Sequence, residues 1–458
     1  MKRRWIITVL SLVAATTAIS CGGSGTSASN RSYEVWLMDQ SDTRPDGGGR
    51  LFIYPGSAVD GSNAAGAVPE VYDFGGAVRD LALTKPGSPT VQAPRRPHMV
   101  LFNTSGTHAV IAFVVTGHVL FLDTATRTPL DIIDAGLQVH VAVPSPDERF
   151  VIVAGQNGKI LQRINTDYAS NTFTLDSAAT LNLAAGTTPS GGLKEDPKLR
   201  PDNAPIYVAV TSDSRYGFVT LRGGGLFVVD IAATPMRIVA EYDNTAIKPA
   251  GFAGAQSGTK MYINSGTSGA ADPFGHDLYT IDINAITPSG NPPNLPAPKL
   301  IYRRTRQQTR HDPEPGQGEH VDGHDATGVV DAHGITFTNQ GRYLWVADRI
   351  QNDVTVVDTV NDEVVNVFSL AGAVSLDPAP DLLAISPSGN RAFATLRGPF
   401  PGSGGHAAFG VSPGLGVISV EQGGTRGTLQ AIAPLSNLFG GANGENRADP
   451  HGIAVLAR

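Results

Sequence analysis

Four histidines occupy one place in a recurring pattern. His98, His140 and His333 each lie eight residues before a turn residue, Gly106, Glu148 and Gly341, and Asp381 lies eight before Gly389. The same offset places Ile206 before Ser214 and Ala250 before Gly258. His451 joins them because His451-Gly-Ile repeats His333-Gly-Ile. The chain has only 11 histidines in 458 residues, so four in one register of seven is not a chance arrangement. Imidazole nitrogen suits copper, zinc, iron and nickel, and a carboxylate can complete such a set. His98, His140, His333 and His451 are therefore candidate ligands of a transition metal, copper first, then zinc or iron. Asp381 is a candidate fifth ligand or catalytic general base. Asp331 and Asp449 stand two residues before His333 and His451, where each could accept the second ring N–H of its histidine. Two other readings stay open. The ring can be a small-ligand pocket without metal, or its nitrogens can satisfy backbone groups where strands converge.

The elements that would bring these residues together are short β-strands. His333-Gly-Ile-Thr-Phe-Thr, Arg342-Tyr-Leu-Trp-Val-Ala-Asp, Asp353-Val-Thr-Val-Val-Asp and Glu363-Val-Val-Asn-Val-Phe form a four-strand unit punctuated by turns. Comparable units begin at His98 and His140, and near Ile206, Ala250 and Asp381. The ends supply a seventh. Residues 35–39, 51–54 and 71–74 match the second, third and fourth strands of the unit, and Pro450-His-Gly-Ile-Ala-Val-Leu matches the missing first. The expected fold is all-β, a seven-bladed propeller over residues 32–458 closed by the C-terminal strand completing the N-terminal blade. In that order the ring reads His451, His98, His140, Ile206, Ala250, His333, Asp381. Five coordinating residues then occupy one arc, and two apolar ones the other.

The cadence of these strands resembles a known group. Pro144-Ser-Pro-Asp147, Ser386-Pro-Ser-Gly389, Tyr343-Leu-Trp-Val-Ala-Asp348 and Val354-Thr-Val-Val-Asp358 are similar to motifs of YVTN-type bacterial propellers and their lactonase-like, seven-bladed relatives. The resemblance implies fold strongly and function weakly, since propellers carry many chemistries. It leaves lactone hydrolysis as one implied activity. Nitrous oxide reductase is an analogy for the ring geometry alone, with copper held by histidines of a propeller. This chain lacks that enzyme's cysteine-bearing copper domain.

The N-terminus carries an address. Lys2, Arg3 and Arg4 precede an apolar run ending in Ala18-Ile-Ser-Cys21-Gly22. This resembles a lipoprotein signal peptide (residues 1–20), with Cys21 acylated and residues 21–31 as a Gly/Ser-rich tether. The expectation is an exported protein, lipid-anchored to the outer membrane. Cys21 is the only cysteine, which removes disulfides and c-type haem attachment. Lys and Arg number 34 against 41 acids, a net charge of −7 that argues against nucleic-acid binding. No Walker loop or G-x-S-x-G elbow is present, so no nucleotide cofactor is expected. The expected partners are a small-molecule ligand or an envelope protein, and the expected state is a monomer. A non-catalytic surface protein that binds a protein or glycan is the alternative to an enzyme. The polar stretch before His333 carries His320, His324 and Asp325, a candidate lid over the ring.

Overall fold

A computed structural model describes residues 32–41, 47–85, 94–249, 251–266, 276–286, 296–304, 331–401, 409–439 and 444–458. Cys21, Ala250, His320, His324 and Asp325 lie outside the described residues, as do the signal segment and tether.

The chain forms seven sheets of four antiparallel strands arranged as a β-propeller. The inner strands, in order, are Pro450–Ala457, Pro97–Phe102, Val139–Pro144, Pro205–Val210, Gly254–Ser257, Ala332–Thr338 and Pro380–Ile385. They define blades one to seven, and each inner strand abuts the next around the ring. In blade one the C-terminal strand pairs with Tyr33–Asp39, placing Trp36 opposite Ala454 and Leu37 opposite Ile453. The first and the last described strands therefore lie in one sheet. Within a blade, successive strands are joined by hairpins, as in blade six, where Thr338 pairs with Tyr343 across four turn residues.

Middle strands such as Phe150–Gly155 and Leu226–Asp230 are buried along their whole length. They read as near-continuous apolar runs because neighbouring blades cover both faces. Each large apolar side chain so buried contributes about 1.5–3 kcal/mol. The turn after the inner strand has a fixed backbone demand. Gly106, Glu148, Ser214, Gly258, Gly341 and Gly389 all have positive φ, between 56° and 89°. That left-handed residue is the punctuation by which the repeats can be aligned in sequence.

Candidate metal centre

The histidine of the repeat sits on a β-bulge. In six blades the pairing between first and second strands slips by one residue at that place. The slips fall between Pro97 and Met99, Val139 and Val141, Ala332 and Ile335, and Pro380 and Leu383. In blade one the same slip spans Pro450 to Ile453. A bulge breaks the two-residue alternation and re-aims the side chain it carries, here toward the axis. Glycine follows His333 and His451 because consecutive inner strands nearly touch there. A Cβ at Gly452 would lie 2.4 Å from the His98 carbonyl oxygen, and one at Gly334 would lie 2.5 Å from that of Asp381.

The four imidazoles converge. His98 Nε2 and His140 Nε2 face each other at 3.2 Å. The His98 ring stacks on His451 with centroids 4.0 Å apart and 18° between planes. His333 meets His451 edge-on at 5.4 Å. All four are buried, with at most 8% of their surface exposed. His98 Nδ1 lies 2.8 Å from Gln40 Oε1. His451 Nδ1 donates to Asp381 Oδ2 at 2.8 Å. Burial, reinforced by His451, pushes the His140 pKa down to about 3. Burial and the neighbouring His451, His140 and His333 likewise hold His98 well below the ordinary histidine range. Both rings therefore stay neutral at physiological pH, the form that binds metal.

Asp381 is in a different situation. It takes Arg349 Nη1 at 3.0 Å, His333 Nε2 at 3.4 Å and Arg397 Nη1 at 3.5 Å, besides His451. Burial alone would raise its pKa, but His333, Arg349 and His451 outweigh burial and hold the carboxyl well below the usual range. Arg349 also grips Asp331, with Nε and Nη2 each 2.8 Å from Oδ2, and Arg397 reaches Asp449 at 2.9 Å. The result is a buried chain, Asp331–Arg349–Asp381–Arg397–Asp449. His333, Asp381 and His451 each offer a donor atom within 4.8 Å of the others and could hold an ion. The two guanidiniums on Asp381 oppose a cation there.

The carboxylates two residues upstream do not serve their own histidines as the spacing suggests. His451 uses Asp381 of blade seven, while Asp449 turns to Arg397. Asp331 Oδ1 stands 4.0 Å from His333 Nδ1, and its other oxygen is held by Arg349. Residues two apart share a face only in a regular strand, and the bulge between them rotates the histidine away.

Blade five differs in register from the sequence count. The pair Gly254–Ile263 there corresponds to Ile335–Val346 in blade six and Leu383–Ala394 in blade seven. The ring position two residues earlier is Phe252, not Ala250. Ala253 N donates to Asn264 Oδ1, as Leu382 N does to Thr395 Oγ1. The cause is a shorter hairpin: Ser257 pairs with Lys260 across two residues, where blades two, three, four, six and seven use four. Phe252 stacks on His333 at 4.0 Å and contacts Ile206, making the apolar arc continuous with the histidines.

A second register was not visible in the sequence. Gln40, Arg349 and Arg397 occupy the same place after the second strand of blades one, six and seven. Gln40 N bonds to Asp449 O as Arg349 N bonds to Asp331 O. All three side chains turn toward the ring. Of the histidines outside the register, His108 bonds Asn171 Oδ1 at 2.8 Å, and His276 lies 3.3 Å from Asp348.

No protein-family profile matches this chain, and no curated protein matches it. Solved structures do. A Lactobacillus plantarum protein aligns with a TM-score of 0.54 and 11% identity, over 93% of this chain and 99% of that one. The periplasmic gluconolactonase of Pseudomonas aeruginosa aligns at 0.52 and 14% identity, over 93% and 99%. A putative 6-phosphogluconolactonase of Bacteroides fragilis aligns at 0.50 and 11%, over 93% and 98%. The chain thus has the fold of the lactonase-like seven-bladed propellers. At these identities the likeness is one of fold alone.

Proposed function

We propose that the ring holds a transition-metal ion on the facing pair His98 and His140, with His451 and His333 adjoining, and presents it to a small-molecule ligand. The facing Nε2 atoms of His98 and His140 carry this reading. In the metal-free ring one Nε2–H bonds to the other Nε2 at 3.2 Å; two ligands on a tetrahedral ion at ~2.0–2.1 Å would be separated by about 3.3 Å, so an ion could take the place of that shared proton. His451, stacked on His98, has its Nδ1 on a carboxylate, the partner that orients many histidines at metal sites. Charge agrees: three carboxylates against two guanidiniums leave the adjoining network one negative charge in excess when all are ionised. Burial, opposed by Arg349, moves Asp331 up to about 6, so the excess persists at neutral pH. Copper is the first choice, then zinc or iron. A bound ion would supply a Lewis acid or a redox centre within the ring.

Titration of chelator-treated protein with Cu(II) and Zn(II) tests this. The wild type should bind tightly, and His98→Ala/His140→Ala should lose at least ~100-fold in affinity. Equal binding by both proteins would remove the site.

A second reading has one observation behind it. Asp381 orients His451, a carboxylate–imidazole pair able to act as a general base. Lactone hydrolysis is the activity suggested by the fold. Metal-independent turnover of lactones, abolished in His451→Ala, would favour it over the metal.

For location, the basic start, apolar run and Cys21 support export and lipid anchoring at the outer membrane. Among the described residues no helix is long and apolar enough to cross a membrane. Metabolic labelling with a fatty acid should mark the wild type and not Cys21→Ser.

A further inference from the structure

Resting on the metal reading, the geometry points to Gln40 as the positioning residue that sets the His98 tautomer, holding the hydrogen on Nδ1 and directing a bare Nε2 lone pair at His140. The contact is His98 Nδ1 to Gln40 Oε1 at 2.8 Å, between two buried side chains. A carbonyl oxygen can only accept, so Nδ1 must donate. A neutral imidazole carries one N–H, so Nε2 is then left as an acceptor or ligand. This is the nitrogen that stands 3.2 Å from His140 Nε2.

The register gives the choice of residue its meaning. The equivalent positions in blades six and seven hold Arg349 and Arg397, each directed at a carboxylate. Arginine has five N–H donors and no acceptor. Arginine at position 40 would force His98 Nδ1 to accept and would turn an N–H toward His140, occupying the atom a metal needs. It would also bring a fixed positive charge against the imidazoles. Glutamine is neutral, of similar reach and able to accept. The backbone is shared, since Gln40 N and Arg349 N make the same bond to the residue two before the ring. The side chain alone distinguishes a blade that serves an imidazole from one that serves a carboxylate. Metal-bound histidines are commonly oriented this way by the partner of their other nitrogen, and loss of that partner typically costs 10–100-fold in affinity.

The test uses full-length protein labelled with ¹⁵N-histidine. Metal-free wild type, read by long-range ¹H–¹⁵N correlation, should show His98 as the Nδ1–H tautomer; the Nε2–H tautomer would overturn the assignment whether or not a metal binds. Gln40→Met keeps length without an amide oxygen and should abolish the preference. It should also weaken Zn(II) about 10–100-fold in a chelator competition. Gln40→Glu, which keeps the acceptor, should restore the tautomer. An unchanged tautomer in Gln40→Met would also overturn the inference. Should Gln40→Met fail to fold, the wild type and Gln40→Glu spectra still decide. A wild type that shows the expected tautomer but binds no metal would sink the metal reading and leave the role of Gln40 standing.

Discussion

The polar arc of the ring has two halves that solve burial in opposite ways. In blades six and seven and at the entry to blade one, charges are kept and paired: Asp331, Asp381 and Asp449 alternate with Arg349 and Arg397. Around His98 and His140, charges are avoided: Gln40 stands where blades six and seven have arginine, and both rings are held neutral by burial. His451 joins the halves, stacked on His98 and bonded to Asp381. The difference separates scaffold from site. A carboxylate already facing two guanidiniums is a poor host for a cation, whereas neutral imidazoles whose ring nitrogens meet directly are better ones. A cluster chosen by proximity alone, such as His333, Asp381 and His451, misses this distinction.

The comparison can be broken in several ways. The largest effect should come from the charged half. Arg397→Met leaves Asp381 and Asp449 short of a partner in the interior, and should cost about 3–5 kcal/mol of stability by denaturant unfolding. A cost under about 1 kcal/mol would mean the network is not the scaffold. Gly452→Ala should follow. Its Cβ would press on the His98 carbonyl, and overpacking of this kind costs about 1–3 kcal/mol. In the neutral half, His140→Ala should cost less stability than Arg397→Met while losing most metal affinity. If His140→Ala were the more damaging to folding, the division would be reversed.

The pH response sharpens the same contrast. His140 is depressed from its ordinary value to about 3. Between those values the unfolded chain binds the proton and the folded chain does not, so stability should fall as pH drops below about 6.5. His98 acts in the same direction. Asp331, raised to about 6, opposes them: between about 4 and 6 it is the folded state that keeps the proton, so its own contribution falls as pH rises. For the single His140 proton the slope is about 1.4 kcal/mol per pH unit. Replacing His140 with Asn should flatten the metal-free profile there. An unchanged profile would show that these rings are not held neutral.

Much of this was legible in the sequence, and for a physical reason. The left-handed turn residue recurs at a fixed distance from the inner-strand histidine, so His98, His140, His333 and Asp381 could be aligned without coordinates. The same rule failed in blade five, where the hairpin is two residues shorter and the count overshot Phe252 to reach Ala250. Gln40, Arg349 and Arg397 were missed because their register is defined by pairing to a neighbouring strand, which no spacing in one strand reveals. Asp449 was matched to His451 from its place two residues before it, and the bulge at Pro450–Ile453 takes the two off a shared face.

The most direct test is elemental analysis of protein purified without chelator from cells supplied with copper, zinc and iron. Our account predicts about one equivalent of a transition metal, lost together with His98 and His140. Less than about a tenth of an equivalent of any such metal, in folded protein, would contradict it.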